Sequence, residues 1–103
     1  MVKVSVLYPN EEGKRFDMDY YCDTHMPMVR KLLGAACTNA SVDQGLAGGT
    51  PGSKAPYIAI GHLYFNTIEN FVSSFTPNAN EIMSDIPNYT DTMPVIQINE
   101  VKF

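Results

Sequence analysis

The densest run of side chains able to move protons is Tyr20-Tyr21-Cys22-Asp23-Thr24-His25-Met26-Pro27. On a helix Tyr21 and His25 stand four apart and share a face. Pro27 has no N–H and crowds the carbonyl of Asp23, which predicts a helix bent or broken around His25–Pro27. A histidine at such a helix end meets free carbonyls and the negative end of the helix dipole, which favours the imidazolium. An imidazole titrating near neutrality beside phenols suits general acid/base chemistry. In that role His25 shuttles a proton while Tyr21, ahead of Tyr20, hydrogen-bonds a carbonyl or phenol oxygen, and Asp23 is the nearby carboxylate able to orient the ring. A structural reading stands beside this one, in which His25 caps the helix and the tyrosines pack the core.

Other chemical signals are weaker. Cys22 and Cys37 form no Cys-x-x-Cys or zinc-ligand pattern, and two histidines at separate sites make a poor metal set, so no metal is expected. Gly48-Gly-Thr-Pro-Gly-Ser-Lys54 is not a phosphate-binding loop, because a serine separates Gly52 from Lys54 and no helix follows. Met18, Met26, Met28, Met83 and Met93 read as adaptable core fillers, which would favour an apolar or aromatic ligand if several line a pocket.

The elements that must carry these residues follow from periodicity. Val2, Val4, Val6 and Tyr8 alternate with Lys3, Ser5 and Leu7 as a strand does. Asp17 is placed to cap a helix beginning at Met18, and Met28, Val29, Leu32 and Leu33 continue the helical spacing to Gly34. A second strand is expected within Cys37–Gln44, followed by a Gly/Pro-rich connection to a clear strand at Tyr57–Phe65. Asn66 with Glu69 resembles a capping box ahead of Ile68, Phe71, Val72 and Phe75. Thr76-Pro77 starts a second apolar stripe through Ala79, Ile82, Met83 and Ile86, and the last strand lies in Pro94–Val101.

The order is β-α-β-β-α-β, an α+β, ferredoxin-like arrangement with an antiparallel sheet. Tyr57–Phe65 is apolar on both faces, with Ile58, Ile60 and Tyr64 on one and Ala59, Leu63 and Phe65 on the other. Val4, Val6, Ile96 and Ile98 supply a matching set. Helices can cover only one face, so the other is expected to pack on a second copy as a homodimer. His62 then points between the subunits as a hydrogen-bonded core histidine. No internal repeat or boundary divides the 103 residues, which read as one domain.

Composition narrows the partners. Seven Lys+Arg against eleven Asp+Glu give a net charge of −4, and the basic residues are scattered. No nucleic-acid or membrane partner is expected. No run approaches a membrane span, and the alternating N-terminus is not a signal peptide, so a cytoplasmic setting is expected.

The opening strand, the helix Phe16-Asp-Met-Asp-Tyr-Tyr21, the segment Asp23-Thr-His-Met-Pro-Met-Val29 and the run Gly61-His-Leu-Tyr-Phe-Asn-Thr67 resemble the EthD family over nearly the whole chain. That family takes its name from ethyl tert-butyl ether degradation and belongs to the dimeric α+β barrel superfamily. The resemblance implies a pocket between sheet and helices in each subunit, with His25 near it. It places Ser5, Leu7, Ala59, Gly61, Leu63, Gln97 and Asn99 on the pocket face of the strands. Small residues at Ala59 and Gly61 serve either a ligand's volume or close helix–sheet packing. Haem is handled by some superfamily members, and His25 is the one residue here that could ligate it, but no cofactor is expected. Two functions follow. One is a cofactor-independent enzyme working on an apolar or aromatic metabolite by degradation, cyclisation, isomerisation or oxygenation. The other is an accessory or binding dimer that supports a partner oxygenase pathway.

Overall fold

A computed structural model describes residues 1–103. Strands β1 (Val2–Pro9), β2 (Asn39–Gln44), β3 (Tyr57–Phe65) and β4 (Val95–Glu100) form one antiparallel sheet in the order β2-β3-β1-β4. Helices α1 (Met18–Tyr20) and α2 (Met26–Leu33) make up one helical segment, and α3 (Ile68–Phe75) with α4 (Ala79–Ser84) the other. This is the ferredoxin-like α+β topology expected from the element order.

Register decides which side chains meet the helices. Val4 stands opposite Leu63 and Ile98, and Val6 opposite Gly61 and Ile96. Residues directly opposite in an antiparallel pair share a face. The valines, Tyr8, Ala59, Leu63 and Phe65 therefore pack with Met26, Val29, Leu33, Phe71, Ile82 and Ile86 in one core. Phe65 is wholly buried, which contributes roughly 1.5–3 kcal/mol. The other face carries Leu7, Ile58, Ile60, Tyr64 and Val95, and no helix lies over it.

The first helical segment is continuous through Pro27. Asp17 caps it, its carboxylate accepting from the Tyr20 N–H at 3.0 Å. A π-helical turn over Tyr21–His25 follows, in which the Met26 N–H reaches the Tyr21 carbonyl, and α2 begins with the proline in its first turn. The widened turn takes up the proline without a break, since Pro27 cannot make the regular bond and its ring needs room. His25 thus sits inside the helical run rather than at its end. Gly34 ends α2 with φ +65°, a conformation that favours glycine.

The second segment starts one residue later than the capping pattern suggests. Thr67, not Asn66, is the N-cap, and its hydroxyl accepts from Asn70 N–H at 3.1 Å. A 3₁₀ turn at Ile86–Asn88 then carries the chain from α4 to Tyr89.

Candidate functional site: a histidine–carboxylate pair at an apolar cavity

The π turn aims two rings at the core. Tyr21 and His25 stack with centroids 5.5 Å apart and planes at 18°, and both side chains are buried. Opposite them lies the segment after α4. It is pinned to the start of the helical layer by the Arg15 guanidinium donating to the Pro87 carbonyl at 2.8 Å, and by the Thr90 hydroxyl donating to the Arg15 carbonyl at 2.7 Å. That docking brings Asp85 and Tyr89 against His25, 60 and 64 residues away in sequence.

His25 Nδ1 lies 2.8 Å from Asp85 Oδ2. The other carboxylate oxygen of Asp85 accepts from the Tyr20 hydroxyl at 2.7 Å and from Asn88 Nδ2 at 2.8 Å. Burial alone would raise the Asp85 pKa, but these bonds and His25 outweigh it and hold the carboxyl below its usual range. Burial dominates at His25 and lowers its pKa, against the opposing pull of Asp85. Near neutrality the pair is therefore a neutral imidazole beside a carboxylate. An ionised carboxylate only accepts, so Nδ1 carries the proton and Nε2 offers a lone pair. This inverts the expectation of a stabilised imidazolium, because the helix end that would have favoured one is absent. Asp23 is exposed and takes no part; Asp85 is the residue that orients the ring.

On the other side of the ring, Nε2 lies 3.4 Å from the Tyr89 hydroxyl, which lies 2.6 Å from that of Tyr8. Tyr21 neighbours Tyr8 in turn. Burial is the chief cause that raises the pKa of all three phenols. A Cβ at Gly61 would collide with the Tyr21 hydroxyl. The space left by glycine is therefore filled by this phenol.

Beside the cluster is a cavity of about 80 Å³ between sheet and helices, thirteen of whose sixteen lining residues are hydrophobic. Tyr8, Tyr21 and His25 supply its chemistry. Phe75, Met83 and Ile96 stand toward its rim, where Met83 and Ile96 are partly exposed. The volume is below the roughly 150 Å³ that takes up benzene in an engineered protein cavity.

Of the residues expected at the pocket, Tyr21, His25, Gly61 and Leu63 line the cavity. Ala59 shares their face but lies in the packed core. Tyr20 lies outside the cavity and reaches the site through Asp85. Ser5, Leu7, Gln97 and Asn99 require correction: they stand opposite His62, Ile60, Ser5 and Lys3 respectively, on the face away from the helices. The reason is the parity of β1, whose valines and Tyr8 take the helix side. On the open face Ser5 meets His62 Nδ1 at 3.1 Å and accepts from Asn99 at 3.2 Å, while His62 Nε2 meets Asp43 at 3.0 Å.

Asp85, Tyr89 and Tyr8 were not singled out by sequence reasoning. Tyr8 follows from strand parity once the valine face is taken as the core. Asp85 and Tyr89 bracket Pro87 four residues apart, but nothing local ties them to His25. No group of three His, Cys, Asp or Glu side chains is arranged to hold a metal ion. Haem does not fit: both His25 nitrogens face protein partners, and the cavity is far smaller than a porphyrin.

Fold and site together define a ferredoxin-like α+β protein with a buried histidine–carboxylate pair at a small apolar cavity. The EthD domain family matches residues 11–93. An EthD-like protein from Ralstonia eutropha JMP134 superposes with a TM-score of 0.95 at 46% identity, covering 99% of this chain and 92% of that one. The chain belongs to the EthD family. An ethyl tert-butyl ether degradation (EthD) family protein from Bacillus halodurans C-125 superposes at 0.75 with 20% identity, covering 99% of each chain. HapK from Hahella chejuensis shares the fold at 0.58 and 11% identity, covering 99% of this chain and 93% of that one. No curated protein matches the chain.

Proposed function

We propose that the protein is a cofactor-independent enzyme that moves a proton on an apolar or aromatic organic molecule held in the cavity, with His25 as acid/base. The observation that carries this reading is the placement of His25 at an apolar cavity wall with the Asp85 carboxylate 2.8 Å behind its Nδ1. A carboxylate in that place fixes the tautomer and stabilises the imidazolium once a proton arrives. The low polarity of the cavity favours ligands whose bulk is hydrocarbon, with few polar groups to satisfy.

The working form we propose is a homodimer closed through the open sheet face. Leu7, Ile58, Ile60 and Tyr64 would otherwise leave the central strands uncovered on that side, and a second copy offers the matching face. The setting we infer is cytoplasmic, where an exposed thiol such as Cys22 stays reduced. No helix is long and apolar enough to cross a membrane.

Deuterium exchange at the acidic carbons of apolar β-dicarbonyl compounds and aromatic ketones, followed by proton NMR, tests the enzyme reading. The protein should accelerate exchange in members of this panel. His25→Gln should remove about 10²–10⁴-fold of the acceleration. Tight binding without exchange, unchanged in His25→Gln, would instead establish the accessory role of a carrier.

A further inference from the structure

Two phenols and His25 form a row. Tyr89 Oη lies 3.4 Å from His25 Nε2, and Tyr8 Oη lies 2.6 Å from Tyr89 Oη. The row runs inward from Asp85 to Tyr8, which lines the cavity, whereas Tyr89 is wholly buried and does not reach it. Tyr21 packs edge-on against the Tyr8 ring, centroids 5.5 Å apart. Direction follows from the acceptor at its end. With Nδ1–H given to Asp85, Nε2 accepts, so Tyr89 donates to His25 and Tyr8 to Tyr89. Each hydroxyl has one proton and two acceptor sites, which leaves the Tyr8 oxygen free to accept from a ligand in the cavity.

We propose that Tyr8 and Tyr89 are a proton relay joining His25 to the hydroxyl of a phenol or enol bound against Tyr8. This deepens the proposed function and rests on it: the base is still His25, and the relay names both its path and its substrate class. In the step, the ligand O–H bond breaks and its proton passes to the Tyr8 oxygen. The Tyr8 proton moves to Tyr89, and that of Tyr89 to His25 Nε2. The net change is one ligand oxyanion and one imidazolium beside Asp85, with both phenols restored. Free phenolates are costly in this buried row, so the hops are concerted.

The ligand class follows from the donors available. The cavity offers hydrocarbon walls and one polar end, where Tyr8, Tyr21 and His25 stand together, which fits a molecule with a flat apolar body and a single acidic oxygen. A phenol or an enolised ketone has that shape. A sugar or a phosphate does not.

4-Nitrophenol is a direct probe, because its phenolate absorbs visible light and its phenol does not. Below its solution pKa, bound probe should show a phenolate-to-phenol ratio raised by on the order of tenfold or more over free probe. Tyr89→Phe cuts the row while leaving His25 and Asp85 in contact, and should bind the probe without raising the ratio; Tyr8→Phe should do the same. His25→Gln should also lose the effect. Tyr89→Phe keeping the full ratio while His25→Gln loses it would overturn the relay and leave His25 as a direct base. A ratio unaffected in His25→Gln would overturn the proposed function itself. No binding of 4-nitrophenol or a halogenated phenol at millimolar concentration would overturn the ligand class. Folding of each variant is checked by thermal melting, and Tyr8→Phe provides a second cut should Tyr89→Phe not fold.

Discussion

At the scale of single residues, His25 and Asp85 tie function to pH. The folded pKa of His25 lies below its unfolded value near 6.5, so between the two the unfolded chain binds the extra proton. Stability from neutral His25 is complete above the unfolded value and declines as pH falls through the folded one. Asp85 adds a second loss at lower pH, since its folded pKa lies below its unfolded value of about 3.8. Thermal midpoints measured against pH should therefore fall in two stages on acidification, and His25→Gln should abolish the upper stage and reduce the lower one, because His25 helps to hold the Asp85 carboxyl down. Activity that needs neutral His25 should persist into mildly acidic buffer and then fall. Gly61 gives an independent residue-scale test. Gly61→Ala should cost about 1–3 kcal/mol in urea denaturation, because its methyl collides with the Tyr21 hydroxyl. Tyr21→Phe in the same chain should restore part of that loss, and additive effects in the double variant would mean the two groups do not meet.

At the scale of elements, short-range chemistry was legible and long-range pairing was not. The strand at Tyr57–Phe65, the Asp17 cap and the Gly34 stop can be read from local alternation, capping residues and backbone freedom. Pro27 misled, because a proline in the first turn of a helix needs no N–H and a π turn before it supplies room for the ring. The wrong face for Ser5, Leu7, Gln97 and Asn99 came from setting the strand parity by resemblance, where the valine alternation alone would have placed them outside. Within the site, Tyr21 and His25 were legible because they share a helix face. Asp85 and Tyr89 were not, since only the docking of the 86–90 segment on Arg15 and Phe16 brings them near. The cap of α3 tests the corrected element boundary. Thr67→Ala should lower stability by about 1 kcal/mol in chemical denaturation, whereas Asn66→Ala should stay within about 0.5 kcal/mol.

At the scale of the whole molecule, the sheet serves two purposes: its helix face builds the cavity, and its open face is where we place the second copy. Ile60 lies on the open side of β3, opposite Leu7 on one neighbour and Asp43 on the other. Sedimentation velocity should show a dimer for the native chain and a monomer for Ile60→Lys, which sets a charge in the middle of the interface. A native chain that sediments as a monomer at micromolar concentration would contradict the pairing. The catalytic reading depends most on the state of His25 in the intact protein, and ¹⁵N NMR of the histidine side chains measures that state. At neutral pH, His25 should appear as the neutral Nδ1–H tautomer, assigned by its loss in His25→Gln, and its Nε2 resonance should shift when 4-nitrophenol binds. A fully protonated His25 at neutral pH that does not respond to the ligand would contradict a base at this cavity.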